Sequence, residues 1–187
     1  MSTGQLIALI FGIIVVLFVF YVIGTYNALI SLRNRVKNQW AQIDVQLKRR
    51  FDLIPNLVET VKGYAKHESE TFESVIKARN SYLSANTPEA GIEASGELTQ
   101  AIGRLFALSE SYPELKANTN FIQMQNDLKE IEATIASSRT FYNDTVLMFN
   151  KRIEMFPSNM IAGMFGFKIA TFFEVEGTER ENVTVKF

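Results

Sequence analysis

The 187-residue chain has a single histidine, His67, and no cysteine. Metal chemistry from such a set would need His67 and carboxylates brought to one point. In di-metal helical bundles the recurring device is Glu-x-x-His, which puts both ligands on one helix face. Tyr64 occupies the position three before His67, so that device is missing. His67 stands among Lys66, Glu68 and Glu70, a polar setting that predicts a solvated imidazole. Without cysteine there are no thiolate ligands, thiol nucleophiles, disulfides or S-acylation. No Gly-rich phosphate loop, Gly-x-Ser-x-Gly elbow or His-Glu-x-x-His run occurs. Asp44, Asp52, Glu59 and Glu132 would act as acid–base pairs only if they converged in a pocket, and helix caps or surface ion pairs are the commoner use. A net charge of −1 at pH 7 gives no reason to expect nucleic acid as a partner. The expectation is a protein without catalytic activity, metal or cofactor.

The densest cluster of unusual residues is KRRFDLIPNLVETVKGY, residues 48–64. Two arginines, an aspartate and a proline interrupt an apolar run there. The spacing predicts a tight corner between helices. Arg49 and Arg50 would face the negative end of a first helix, Asp52 would cap a second one, and Pro55 would sit in its first turn, where a missing N–H costs nothing. Arg49, Arg50, Asp52, Pro55 and Asn56 are thus read as a helix-corner signature rather than as a reactive centre.

The elements that flank this cluster begin with an anchor. Residues 6–23, LIALIFGIIVVLFVFYVI, carry no charge. Eighteen residues of helix span about 27 Å, close to the roughly 30 Å of a bilayer core. A signal peptide would open with basic residues, which MSTGQ lacks. Tyr21 and Tyr26 stand where an interfacial aromatic belt is expected, and Arg33, Arg35 and Lys37 follow. No Lys or Arg precedes the apolar run, so the positive-inside rule puts the bulk of the chain in the cytoplasm. A single-pass membrane protein is expected, with a bundle outside the cytoplasm as the alternative.

Beyond the anchor, apolar residues recur at helical spacing. Leu29, Val36 and Ile43, with Trp40 and Leu47, continue the first helix to about Arg50. A second helix is predicted from Leu53 to Leu83, weakened at KHESE, and a third from Glu89 to Ser111, with Thr87 as cap and Pro88 in its first turn. In the fourth, Phe121, Met124, Leu128, Ile131, Ile135, Ser138, Tyr142, Val146, Phe149, Ile153 and Phe156 keep near-heptad order. Asn118 or Thr119 would cap its start, and Pro157 would end it. The fold expected is all-α: an anchor over residues 1–25, an antiparallel up-and-down bundle over 26–157, and an apolar tail over 158–187. TFFEV and NVTVKF in the tail have strand composition and would suit a hairpin or strands added to another chain's edge. Met160, Ile161, Met164, Phe165, Phe167, Phe172 and Phe173 either pack back on the bundle or meet a partner, and an oligomer contact is the reading carried forward. Asn27, Asn143 and Asn150 either set helix register or have a surface or capping role.

WAQIDVQLKRRFDLIPNLVETVKGYAKHE resembles the signature of the LemA family of bacterial membrane proteins. YNALISLRNRV, LFALSESYPELKANTNF, SSRTFYNDTVLMFNKRIEMFP and GFKIATFFEVEG are family-like too, in order along nearly the whole chain. The resemblance implies an N-terminal membrane helix followed by a long helical bundle, and it carries no established enzymatic activity. Some relatives resemble lipoproteins with a cysteine after the apolar stretch; this chain has none. Family members are often encoded beside a TPM-domain protein or a membrane metallopeptidase. The function expected is a membrane-anchored scaffold of the cell envelope that self-associates as a homo-oligomer or docks partners. An adaptor of a membrane protease or transport system is the alternative. A hydrolase with an unrecognised carboxylate site is the remote one.

Overall fold

Residues 2–173 are described by the structure, a computed structural model. Helix α1 is unbroken from Thr3 to Lys62. Its inner seam in the second half is Ile43, Leu47, Arg50, Ile54, Leu57 and Val61, each at most 1% exposed. Steps of four and three residues keep them on one side of a helix. The seam passes straight through the expected corner, which is the first correction to the sequence reading. Pro55 lies inside α1 rather than in the first turn of a new helix. Asp52 is exposed on the outer face and caps nothing.

An internal proline removes one N–H and leaves the carbonyl four residues earlier without its helical partner. That carbonyl is Phe51 O. It accepts instead from Arg79 Nε at 3.4 Å. The packed seam on one side and this external donor on the other let the helix continue.

The real corner is GYAKHE, residues 63–68. Tyr64 N–H and Ala65 N–H both donate to Val61 O, and Ala65 is buried beneath the turn. The polar stretch that only weakened the second helix in the sequence pattern is therefore its actual boundary. Helix α2 runs Ser69–Leu83. Helix α3 runs Pro88–Ser109, with the Thr87 side chain accepting from Ala90 N–H as expected. A single turn, α4, covers Pro113–Lys116. Helix α5 runs Thr119–Glu154, and Asn118 Oδ1 accepts from Phe121 N–H at its start. Helix α6 is Ser158–Met164. Among the described residues there is no strand. Most of the predicted hairpin lies outside the described residues.

The chain divides into two compact units. One contains, among the described residues, 40–140 with Phe173. Its contacts give an up-and-down bundle of four helical stretches. Asp44 meets Tyr82 and Phe51 meets Arg79, so α1 and α2 are antiparallel. Trp40 lies near Gly91 and Arg50 bonds Thr99, so α3 runs with α1. Tyr64 meets Asn118 and Arg50 meets Glu132, so α5 runs against α1. Phe121, Leu128, Ile131 and Ile135 are buried along α5 as the heptad order predicts.

The other unit holds residues 2–39 and 141–172. It contains the apolar part of α1, the one helix among the described residues that is long and apolar enough to cross a membrane; none of that apolar window is buried within the protein. The segment after α6 turns back along α5. Asn150 pairs with Ala170 through two hydrogen bonds, Nδ2 to the carbonyl at 2.9 Å and Ala170 N–H to Oδ1 at 2.8 Å. Tyr142 Oη donates to Thr171 O at 2.9 Å. The Phe167 ring packs edge-on against Phe149 and Tyr26 and under the Arg33 guanidinium. Gly166 has φ +68°, a left-handed conformation that glycine adopts without strain, and this reverses the chain.

Candidate functional site

Arg50 is the largest side chain wholly buried in the bundle, at 1% exposure. It occupies a seam position of α1, so the fold draws it inward. One of its terminal nitrogens lies 2.6 Å from Glu132 Oε1 and 3.0 Å from Thr99 Oγ1. Thr99 in turn donates to Ser95 O. Arg50 Nε is buried without a hydrogen-bond partner. Burial pulls the guanidinium pKa below its ordinary value, and the charge and hydrogen bond of Glu132 oppose that pull. The Glu132 side chain is 42% exposed. The pair thus ties α1 to α3 and α5 with one buried end and one wet end.

On the next face, an open groove of about 390 Å³ is bordered by Trp40, Asp44, Lys48, Asp52, Tyr82 and Gly91, among others. Tyr82 stacks on Phe51 with ring centroids 3.8 Å apart and donates its hydroxyl to Asp44 Oδ1. Burial, then the hydrogen bond and charge of Asp44, push the Tyr82 phenol pKa up. The phenol is thereby held neutral, and as a neutral donor it occupies one oxygen of Asp44.

The carboxylates named from sequence do not converge as a set. Asp44 and Asp52 border the groove, Glu132 binds Arg50, and Glu59 pairs with Lys62 at the surface. His67 is exposed in the α1–α2 turn. Among the described residues no group of three or more His, Asp or Glu side chains is placed to hold a metal ion. The corner signature resolves into separate roles. Arg50 is buried, Arg49 and Asp52 border an outer groove with Asp127 and Glu130, and Pro55 and Asn56 are exposed.

In the other unit, Arg33, Arg35 and Lys37 are exposed on α1, and Tyr21 is 38% exposed. Tyr26 instead lies against Phe165 at 4.7 Å between ring centroids. The tail residues expected to act together are divided. Ile161 and Phe173 are buried, Phe167 and Phe172 are half-buried, and Met160, Met164 and Phe165 are exposed. Phe173 packs near Trp40 and beneath the Arg139 guanidinium. Packing back on the chain therefore accounts for part of the stretch assigned to an oligomer contact. Phe156 corrects the pattern in the other direction: the heptad order puts it in the core, yet it is 76% exposed, because α5 has already ended. Asn150 bonds this chain's own tail rather than setting helix register, and Asn27 is exposed.

Sequence reasoning missed Arg79 and the burial of Arg50. The second was detectable, since position 50 falls on the four-three seam. The first was not, because nothing local to Phe51 announces a donor from α2.

Among known proteins, protein LemA of Metamycoplasma hominis is 24% identical over 168 residues, covering 89% of this chain and 77% of the relative. Magnetosome protein MamQ of Magnetospirillum gryphiswaldense is 24% identical over 195 residues, covering 90% and 72%. A magnetosome protein MamQ of Paramagnetospirillum magneticum is 25% identical over 186 residues, covering 86% and 68%. With its apolar first helix, the chain is a membrane-associated helical protein. The family model described as LemA matches residues 39–187, and the chain belongs to the LemA family.

Proposed function

We propose that this chain is a single-pass scaffold of the bacterial inner membrane that self-associates side by side through α5. The observation that carries this reading is an exposed apolar ridge. Phe141 and Met148, one heptad apart, are 60% and 58% exposed, and Leu147 beside them is 55% exposed. Tyr142, Val146 and Phe149 of the same stretch are buried, so α5 is apolar on two sides. Among the described residues, only one of them is covered. A second apolar face at heptad spacing is what a neighbouring helix needs. Confinement to a membrane raises the effective concentration of such neighbours. The positive-inside rule, applied to Arg33, Arg35 and Lys37, favours a cytoplasmic bundle. Relatives named for a mycoplasma LemA and for magnetosomes suit a scaffold whose fold is kept while its partners differ.

Full-length protein in detergent micelles, measured by size exclusion with light scattering, tests the reading. Self-association above the monomer mass is expected at micromolar concentration, lost in the Phe141→Glu/Met148→Glu variant. Because the chain has no cysteine, Met148→Cys alone should give crosslinked dimers in native membranes. A monomer with no crosslink would sink the proposal. A monomer whose ridge variant also loses a neighbouring membrane protein would replace it with the adaptor reading.

A further inference from the structure

The segment between α5 and α6 presents apolar side chains that no part of the described chain covers. Phe156 is 76% exposed, Met160 and Met164 67%, Met155 51% and Phe165 49%. The opposite side of α6 is well packed, with Ser158, Ile161 and Ala162 at 4% or less. Ser158 Oγ also donates to Arg152 O and Met155 O, which fastens α6 to the end of α5. The exposed face is therefore held rigidly outward.

Its place along α1 identifies what it meets. Phe165 touches Tyr26, only three residues beyond Ile23, the last of the apolar run. A rise of 1.5 Å per residue puts Tyr26 about 5 Å beyond Ile23, within the headgroup layer. The charge of this unit suits the same surroundings. Its described residues carry six Lys or Arg (Arg33, Arg35, Lys37, Lys151, Arg152, Lys168) against Asp144 and Glu154. Basic residues around an apolar face are the composition of segments that lie in an anionic lipid surface.

We infer that the α5–α6 turn is a second membrane contact: Phe156, Met160, Met164 and Phe165 enter the interface of the bilayer that α1 crosses, beside its exit point. The inference rests on reading residues 6–23 as membrane-spanning and is independent of self-association. It gives the chain two attachments to one leaflet. The helix then cannot rotate freely about its own axis, and the α5 ridge keeps a fixed heading in the membrane plane.

The full chain carries no native cysteine, so single-cysteine variants label cleanly. Phe156→Cys and Met164→Cys, with Val16→Cys as anchor control and Lys77→Cys on α2 as aqueous control, are labelled with an environment-sensitive fluorophore. They are reconstituted into vesicles of phosphatidylcholine and phosphatidylglycerol that contain a lipid spin-labelled near the headgroup. Labels at 156 and 164 are expected to emit to the blue of the label at 77 and to be quenched by the spin-labelled lipid. Adding Lys151→Gln/Arg152→Gln should reduce that quenching. Quenching at 156 and 164 no greater than at 77, with Val16→Cys buried in lipid, overturns the inference and leaves the anchor standing. A label at Val16 that stays aqueous overturns both. Blue emission without quenching, varying with protein-to-lipid ratio, assigns the face to a second copy and equally overturns it.

Discussion

Arg79 Nε, on α2, donates to the carbonyl of Phe51, on α1, and that carbonyl is the one Pro55 deprives of its helical N–H. One long side chain thus repairs a backbone defect on the neighbouring helix. The repair and the proline should be energetically coupled. Arg79→Leu is expected to cost about 1 kcal/mol, the usual worth of such a hydrogen bond. Pro55→Ala restores the missing donor and should raise stability by up to about 3 kcal/mol. In the Pro55→Ala background the Arg79→Leu cost should shrink. A double-mutant cycle read by thermal unfolding checks this, and additive effects would show that Arg79 does not serve the Phe51 carbonyl.

The same pair marks where the sequence could and could not be read. The seam Ile43, Leu47, Ile54, Leu57, Val61 was visible as apolar spacing, as were the Thr87 and Asn118 caps, because those signals are local. Arg50, Asp52 and Pro55 carried local signals for a helix end; contacts from elsewhere overrule the first and the last, while Asp52 lies exposed on the outer face. Arg50 is neutralised by Glu132, and Pro55 is compensated through Arg79. Capping and propensity preferences amount to about 1 kcal/mol apiece, whereas the five buried apolar seam positions are worth more than the ends they would create. Of the site residues, the exposed basic cluster Arg33, Arg35 and Lys37 was legible, since charge next to an apolar run is a sequence property. The division of the tail into covered and uncovered residues was not, because it depends on which side of α6 faces α5.

Arg50 and Glu132 should respond unequally to loss of a partner. Glu132→Ala leaves a buried guanidinium with only Thr99 for company. Arg50→Met leaves a carboxylate that already reaches water and fills the seam with apolar atoms. Breaking a buried pair from the exposed side costs up to about 3–5 kcal/mol, reduced here because Glu132 is part-exposed. Chemical denaturation of the two single variants should therefore rank Glu132→Ala as the less stable. The opposite order would mean that the ion pair, rather than relief of the buried charge, dominates.

Tyr82 predicts a loss of stability in alkali. Its phenol pKa is raised in the folded chain by burial and by Asp44. Below the ordinary phenol value of about 10 the proton is held in both states, and the contribution is complete. As pH climbs past that value the unfolded chain gives up the proton first, so folding weakens. The unfolding midpoint should fall as pH rises above about 10, and Tyr82→Phe should flatten part of that fall. An identical fall in the variant would assign the alkaline loss to other groups.

Asn150 is the residue that ties the segment following α6 back to α5. Both its amide atoms are spent on the backbone of Ala170, and the side chain is 8% exposed. Tyr142 holds the next residue, Thr171, by one bond. Asn150→Leu keeps the branched outline of the side chain and removes both bonds, an expected cost of about 1–3 kcal/mol. Tyr142→Phe removes one and should cost about half as much. Hydrogen exchange at the Ala170 amide should speed up strongly in Asn150→Leu and weakly in Tyr142→Phe, with trypsin cleavage after the exposed Lys168 following the same order. Unchanged exchange in Asn150→Leu would mean that Tyr142 and the Phe167 ring, seated among Tyr26, Arg33 and Phe149, hold the segment without Asn150. Loosening the segment should also free Phe165 from Tyr26, so the membrane contact inferred for α6 should weaken in the same variant while the anchor itself stays in place.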